Sequence, residues 1–479
     1  MGGGIASLSA SCYLAKHGYN VTIFEKNERV GGRASQYIKD GFTFDMGPTW
    51  YWMPDVFESF FSDFDKKPAD YYKLIKLNPA YKVVFDNEAI LIGDSLDTIA
   101  ATFDQIESGA GDALKTFLTD AENNYNLAIK NLVYKPGQSI FELVTLATVQ
   151  KLHLFFSTIS KLVRKKFKNE KLRQILEFPV LFLGAKAENT PAFYNFMNWA
   201  DFGLGTYYPE GGMYKVVEGL ETLAVSLGVE IHCNADVQKM SVTGDKITSI
   251  TVNGTQIETD LVLSGADYYH TETLFESDYR NYSENYWQKK TFAPSSLLYY
   301  VALDEKIPNV EHHTLFFDVD FSNHASAIYD EAKWPKKPLF YASFPSKTDK
   351  TICPPNKEMA IFLIPIAPDL KEDLDTYTHY YDILADRLLR HTGYDLKKNT
   401  LFYRTFSVKD FKEVYNSYKG NAYGLANTLL QTAVLRPSLK SKKVKNLYFT
   451  GQLSVPGPGV PPALISGKLA AGLIKKYHP

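Results

Sequence analysis

Apolar and polar positions alternate along the chain in patterns that divide it into readable elements. After Gly2-Gly3-Gly4 a helical pattern runs to His17-Gly18, and residues 20–25 (NVTIFE) form a β-branched strand ending in the acid Glu25. Turn, helix, glycine stop and strand make the later part of a βαβ unit, and the chain as read starts at the turn itself. Residues 82–85 and 89–92 flank Asp86-Asn87-Glu88 and predict a hairpin. A mainly helical stretch follows over about 95–198. Residues 246–252 and 256–263 flank Asn253-Gly254, a strong short-range hairpin signal. Strands are predicted at 297–303, 314–317, 339–344 and 359–364, and a helix at 376–390. A last strand at 446–450 meets a Pro/Gly turn and then an apolar helix from Ala463.

The order predicts an α/β chain with three parts. Residues 1–90, 199–290 and 406–479 assemble a discontinuous Rossmann-like domain that carries a β-meander. Residues 91–198 form a helical substrate- and membrane-associated region. Residues 291–405 form a mixed-sheet substrate domain.

Composition narrows the function. Hydrophobic residues are 45% and charged residues 22% of 479, so the chain is not intrinsically disordered. A net charge of −2 gives no electrostatic reason for a nucleic-acid partner. Aromatic residues reach 14%, enough to line a long apolar pocket. Cys12, Cys233 and Cys353 are far apart, which encodes neither a disulfide framework nor a cysteine metal site. His312 and His313 are adjacent, so in a strand they would face opposite ways, and no metal is expected. No secretory signal pattern is read at the N-terminus. No apolar run is long enough to span a membrane; the best stretches, 180–185 and 359–368, are preceded or broken by proline.

The candidate chemistry lies in the glycine-rich turns. Gly2 permits a tight turn, Gly4 lets backbone approach a pyrophosphate, and the small Ser7 lets the helix pack close to the sheet. Glu25 falls 23 residues after Gly2, near the position of an acid that holds ribose hydroxyls. A second cluster, Arg29-Val30-Gly31-Gly32-Arg33, offers close backbone approach and a cation. The turn from Phe44 to Pro54 is crowded with aromatics and suits the lining beside a flat ring. Residues 151–173 read as a basic amphipathic helix, fit either for an anionic lipid surface or for an ordinary helix with a solvated basic face.

Taken together, the N-terminal glycines, residues 29–33, the Asp45-Met46-Gly47-Pro48 turn, Pro209-Glu210-Gly211-Gly212-Met213 and the closing segment 446–474 resemble the bacterial-type carotenoid desaturases of the flavin amine oxidase superfamily. The aromatic run 47–61 is most similar to phytoene desaturases of the lycopene-forming branch. The resemblance implies FAD as cofactor. Gly2, Gly4 and Ser7 would cradle its pyrophosphate, Glu25 the adenosine ribose, and Arg33 the phosphate or ribityl side. Gly47 and Pro48 would border the isoalloxazine, and Val237 would meet the adenine through its backbone. Gly451 and Gln452 would approach the diphosphate and ribityl chain, and Gly459, Val460 and Pro461 the flavin ring. Gln452 stands where many members carry an acid or a small residue.

The implied reaction is desaturation of phytoene, a hydrophobic C40 polyene, toward lycopene. The implied place is the bacterial cytoplasm, in peripheral contact with inner-membrane lipid. A desaturase of a later, hydroxylated carotenoid and a flavin-dependent carotenoid isomerase are the alternatives, with a non-enzymatic carotenoid- or lipid-binding protein behind them. An amine oxidase is disfavoured because no cysteine follows Cys353 to hold a covalent flavin. No catalytic residue is assigned. Asp201 is a candidate proton acceptor by position alone, and the sequence carries no signal for the oligomeric state.

Overall fold

A computed structural model describes residues 1–143, 146–181 and 184–479. Positions 182 and 183 of the apolar stretch at 180–185, and 144 and 145 of the helical stretch, lie outside the described residues.

The N-terminal helix Ile5–Lys16 is rich in Ala, Ser and Leu and buried from Ile5 through Leu14. It crosses the C-terminal helix Val460–Tyr477 so closely that a Cβ at Gly467 would collide with the Ala6 carbonyl. Beside it, strands Thr22–Phe24 and Glu230–His232 pair in parallel, as do Val262–Ser264 and Leu447–Phe449. The residues before the glycine turn join these pairs. Gly2 N–H donates to Phe24 O at 2.8 Å, and Gly265 N–H donates to Met1 O at 2.9 Å.

The Asn253-Gly254 signal produces its hairpin, with φ of 47° and 82° at the two turn residues. The strand expected over 256–263 divides, however. Thr255–Glu258 stays in the antiparallel meander with Lys246–Val252 and Val237–Thr243, while Val262–Ser264 crosses into the nucleotide-binding sheet.

A seven-stranded mixed sheet forms the second layer. Its order is Thr400–Phe406, Ser295–Leu303, Glu358–Ile366, Phe340–Ser343, His313–Phe316, Tyr81–Val84 and Ala89–Ile92. The hairpin at 81–92 therefore belongs to this sheet and not to the nucleotide-binding part, because Lys82 pairs with Thr314 across a parallel ladder. Every residue of Ser295–Leu303 is buried. Tyr299, Val301, Phe362 and Ile364 pack on one side in a core shared with Tyr380, Leu384 and Leu388 of helix Leu374–Thr392. The register aligns Leu298 with Leu363, Leu363 with Tyr341, and Tyr341 with Leu315, so these four side chains form one cross-strand row.

The basic segment at 151–173 is not one helix. It breaks into Leu152–Phe155, Ile159–Lys166 and the start of Glu170–Leu181, the second capped by Thr158, whose hydroxyl accepts from Lys161 N–H, and ended at Phe167. Ile159, Val163 and Phe167 are fully buried, and Phe167 meets Phe103 and Phe117 edge to face. Arg164 pairs with Glu170, Lys166 with Asp120 and Lys171 with Glu88. Ile159, Val163 and Phe167 thus turn that part of the apolar stripe toward the protein core. The first part of the segment does reach solvent, with Phe156 74% exposed and Leu152 52%, as do Phe141 at 80% and Leu430 at 75%. Among the described residues no helix is long and apolar enough to cross a membrane.

Candidate active site

One cavity of about 1040 Å³ runs between the layers. That lies at the upper end of the ~300–1,000 Å³ usual for a ligand pocket. One end is lined by Gly4, Glu25, Gly32, Arg33, Gly265 and Gly451. Its middle passes Gly47, Pro48 and the row Leu298, Leu363, Tyr341 and Leu315. Its mouth is rimmed by Val149, Leu152, Phe156, Leu430 and Leu435.

The dinucleotide end is built from interlocked glycines. Gly2 holds a φ of 78°, and a Cβ there would crowd Ala266 N at 3.1 Å. Gly4 precedes the helix without any side-chain cap, and a Cβ on it would meet nothing within 4 Å. That open space, at the positive end of the helix dipole, is where a pyrophosphate fits. The second glycine pair braces the first: Gly31 N–H donates to Gly3 O at 2.8 Å, and a Cβ on Gly32 would press on Gly4 Cα at 3.2 Å.

Glu25 is buried with both oxygens engaged. One accepts from Gly3 N–H at 2.6 Å, the other from Asn27 N–H at 2.9 Å and Asn27 Nδ2 at 2.8 Å. Its carboxylate therefore clamps the glycine turn while lining the cavity. Ser7 and Val237 do not line the cavity. Ser7 packs against Gly265 with its hydroxyl buried and unpaired among the described residues. Val237 is buried in the meander opposite Val252.

Arg33 reaches the cavity as a buried cation. Its Nη2 donates to Ser417 Oγ at 2.9 Å and Asn421 O at 3.3 Å, and the guanidinium lies 5.6 Å from the Tyr415 ring. With its amide oxygen turned inward, Gln452 accepts from Arg33 Nη2 at 3.0 Å and Nη1 at 3.1 Å. Burial lowers the Arg33 pKa, which the Asp267 charge partly offsets. Arg33 Nε has no hydrogen-bond partner among the described residues, an orphan donor suited to an anionic or carbonyl oxygen.

Gly47 is required by the same arginine, since a Cβ there would fall on the Arg33 carbonyl. Asp45, two residues earlier, ties this turn to Pro209–Met213. Its oxygens accept from Met213 N–H at 2.7 Å and Tyr214 N–H at 3.0 Å, capping helix Tyr214–Ser226. Burial pushes the Asp45 carboxyl up to about 7.

At the C-terminal turn Gly451 and Gly459 hold φ of 103° and 118° ahead of helix Val460–Tyr477. Gly451, Gln452, Gly459, Val460 and Pro461 all line the cavity. This helix start offers no row of N–H donors. Pro461 and Pro462 have none, so the helix contributes chiefly its dipole.

Asp201 does not line the cavity. It is buried and accepts from Tyr81 Oη at 2.8 Å, with its carboxyl pushed up to about 8 by burial. His312 and His313 do not face apart as the strand pattern predicted. His312 precedes the strand His313–Phe316, so alternation does not govern it, and the two rings lie 4.5 Å apart. Sequence reasoning also missed the polar group in the cross-strand row: Tyr341 Oη lies 2.8 Å from Thr49 Oγ1 and 2.7 Å from His313 Nδ1. The sheet register, which no local pattern encodes, sets Tyr341 beside His313, and the turn after Pro48 adds Thr49.

Residues 5–475 match the family described as flavin containing amine oxidoreductase. The chain is 42% identical to a carotenoid 3,4-desaturase of Haloarcula japonica, over 98% of this chain and 96% of that protein. It is 32% identical to a 4,4'-diapophytoene desaturase (4,4'-diaponeurosporene-forming) of Staphylococcus haemolyticus, over 98% and 97%. Among solved structures, an oxidoreductase from Methanosarcina mazei aligns with a TM-score of 0.63 at 16% identity, over 99% of this chain and 98% of that one. Putrescine oxidase bound to putrescine aligns with a TM-score of 0.61 at 14% identity, over 99% and 98%, a likeness of fold alone. The whole-length match and the glycine cradle agree: the chain belongs to the carotenoid desaturases of the flavin-containing amine oxidoreductase family, and its cofactor is FAD.

Proposed function

We propose that this protein desaturates the 3,4 position of a later carotenoid, drawn from a membrane through the apolar mouth of the cavity. The observation that carries the reading is the continuity of one apolar channel from the glycine cradle, past the row Leu298–Leu363–Tyr341–Leu315, to the exposed rim at Phe156 and Leu430. A long hydrocarbon can lie along it with one carbon pair beside Gly47 and Pro48. FAD, when bound, supplies the hydride acceptor. Gly4 and Gly32 give its phosphates close backbone approach, Arg33 gives a buried cation, and the Val460–Tyr477 dipole favours negative charge at the ring end. The leucine row excludes water and aligns the polyene. Similarity to the 3,4-desaturase at 42% identity supports the choice of position.

The second reading is phytoene desaturation toward lycopene. It draws on the aromatic run 47–61 and on the 32% identical diapophytoene desaturase. Expression in one strain that accumulates phytoene and another that accumulates lycopene, with pigments separated by chromatography, decides between them. New bands at longer wavelength than lycopene, in the lycopene strain only, are expected. Conversion of phytoene to red lycopene would establish the second reading instead. Pigments unchanged in both strains would sink both.

A further inference from the structure

Removing a carbon–carbon pair's hydrogen as a hydride leaves a proton that some group must take. The cavity wall is leucine-rich in the row that crosses four strands, and Tyr341 is its only polar member. A phenol at that position would be costly to bury without a purpose or partners. Its hydroxyl lies against Thr49, one residue past Pro48, and against His313, which shares the face of Leu315 two residues along the strand.

We propose that Tyr341, backed by His313, takes the proton lost from the carotenoid; this rests on the desaturase reading above. With the hydride gone to the flavin, the neighbouring C–H bond breaks and its electron pair becomes the π bond of the new double bond. The proton passes to Tyr341 Oη as the phenolic proton passes to His313 Nδ1. Charge ends on the imidazole, and Tyr341 is again a neutral phenol.

The surroundings of His313 suit that role. Its ring stacks on Trp50 with centroids 3.9 Å apart and planes at 10°, so an imidazolium would lie on an indole face. Its Nε2 is buried without a hydrogen-bond partner among the described residues. Burial, and then the adjacent His312, hold the imidazole well below its ordinary range, so it waits neutral, and with its ring proton on Nε2 it accepts the Tyr341 hydroxyl at Nδ1. A weak base suffices, because a C–H beside a cationic carbon is strongly acidic. Burial raises the Tyr341 phenol, which keeps its proton in place to be passed on.

The test uses the FAD-loaded protein, Tyr341→Phe and His313→Gln, with Thr49→Val as a control that leaves the Tyr–His pair intact. Tyr341→Phe should lower kcat by ~10²–10⁴-fold, the usual reach of a positioned acid or base. FAD content and carotenoid binding, read by quenching of tryptophan fluorescence, should stay at wild-type values. Substrate deuterated at the proton-losing carbon should show a larger primary isotope effect in Tyr341→Phe than in wild type. In histidine-labelled protein, the ¹⁵N resonance of His313 Nδ1 should shift when Tyr341 becomes Phe. His313→Gln should retain part of the rate, since an amide can still accept. Tyr341→Phe turning over within about threefold of wild type overturns the proposal, because a positioned proton acceptor contributes far more. A loss of rate that follows lost FAD or lost carotenoid binding also overturns it, by making Tyr341 structural. Wild-type protein that desaturates nothing overturns the desaturase reading itself.

Discussion

Ser7 Oγ fills the space that a Cβ at Gly265 would need. The two residues are 258 positions apart, and their contact sets how closely helix Ile5–Lys16 approaches the sheet. Gly265→Ala should therefore destabilise by ~1–3 kcal/mol through overpacking, measured by denaturant unfolding. Ser7→Ala removes a buried, unpaired hydroxyl and should be neutral or stabilising. The double variant should be less damaged than Gly265→Ala alone; simple additivity would refute the contact.

Arg33 spends its buried charge on Ser417, Asn421 and Gln452 and still leaves Nε unpaired. Arg33→Ala should weaken FAD binding by ~10–100-fold, the worth of a lost hydrogen bond to a charged group. Flavin absorbance per protein after desalting measures it. Arg33→Lys should not restore binding, since an ammonium cannot reproduce the planar fork. Full FAD occupancy in Arg33→Ala would remove Arg33 from the cofactor site.

Asp201 has a folded pKa near 8 against an ordinary 3.8. Between those values the folded protein holds a proton that the unfolded chain releases, so stability from this group falls as pH rises. The contribution is complete below about 4 and lost through about 8, with a slope of at most ~1.4 kcal/mol per pH unit. Asp45 adds a slope of the same sign up to about 7. Asp201→Asn keeps an acceptor for Tyr81 and should flatten the stability–pH curve. Because Asp201 does not line the cavity, the variant should desaturate at the wild-type rate. A large loss of kcat with normal stability would return Asp201 to the chemistry.

Phe156 and Leu430 stand exposed on the cavity rim, and Phe141 is exposed as well. Changing all three to Ser should lower partition onto liposomes by ~10²-fold or more, at ~1.5–3 kcal/mol per large apolar side chain buried. Activity on detergent-dispersed carotenoid should change little. Neutralising Lys161, Lys165 and Lys168 should have the smaller effect, since helix Ile159–Lys166 turns its apolar stripe inward. The reverse ranking would make the lysines of the basic segment the anchor.

The sequence alone determined whatever is written in local spacing. The glycine turn with its helix and Glu25 strand, the Asn253-Gly254 hairpin, the mixed-sheet strands other than the edge strand Thr400–Phe406, and the C-terminal turn-and-helix are all short-range patterns. Steric limits on φ and the periods of helix and strand express them within a few residues. Tertiary structure decided what depends on distant partners. It moved the 81–92 hairpin to the second sheet through the Lys82–Thr314 pairing, divided the 256–263 strand between two sheets, and broke the basic segment where Phe167 found Phe103 and Phe117. It engaged both oxygens of Glu25 on the turn, and it set Tyr341 against His313 and Thr49. Those outcomes rest on register and long-range burial, and neither leaves a trace in the spacing of neighbouring residues.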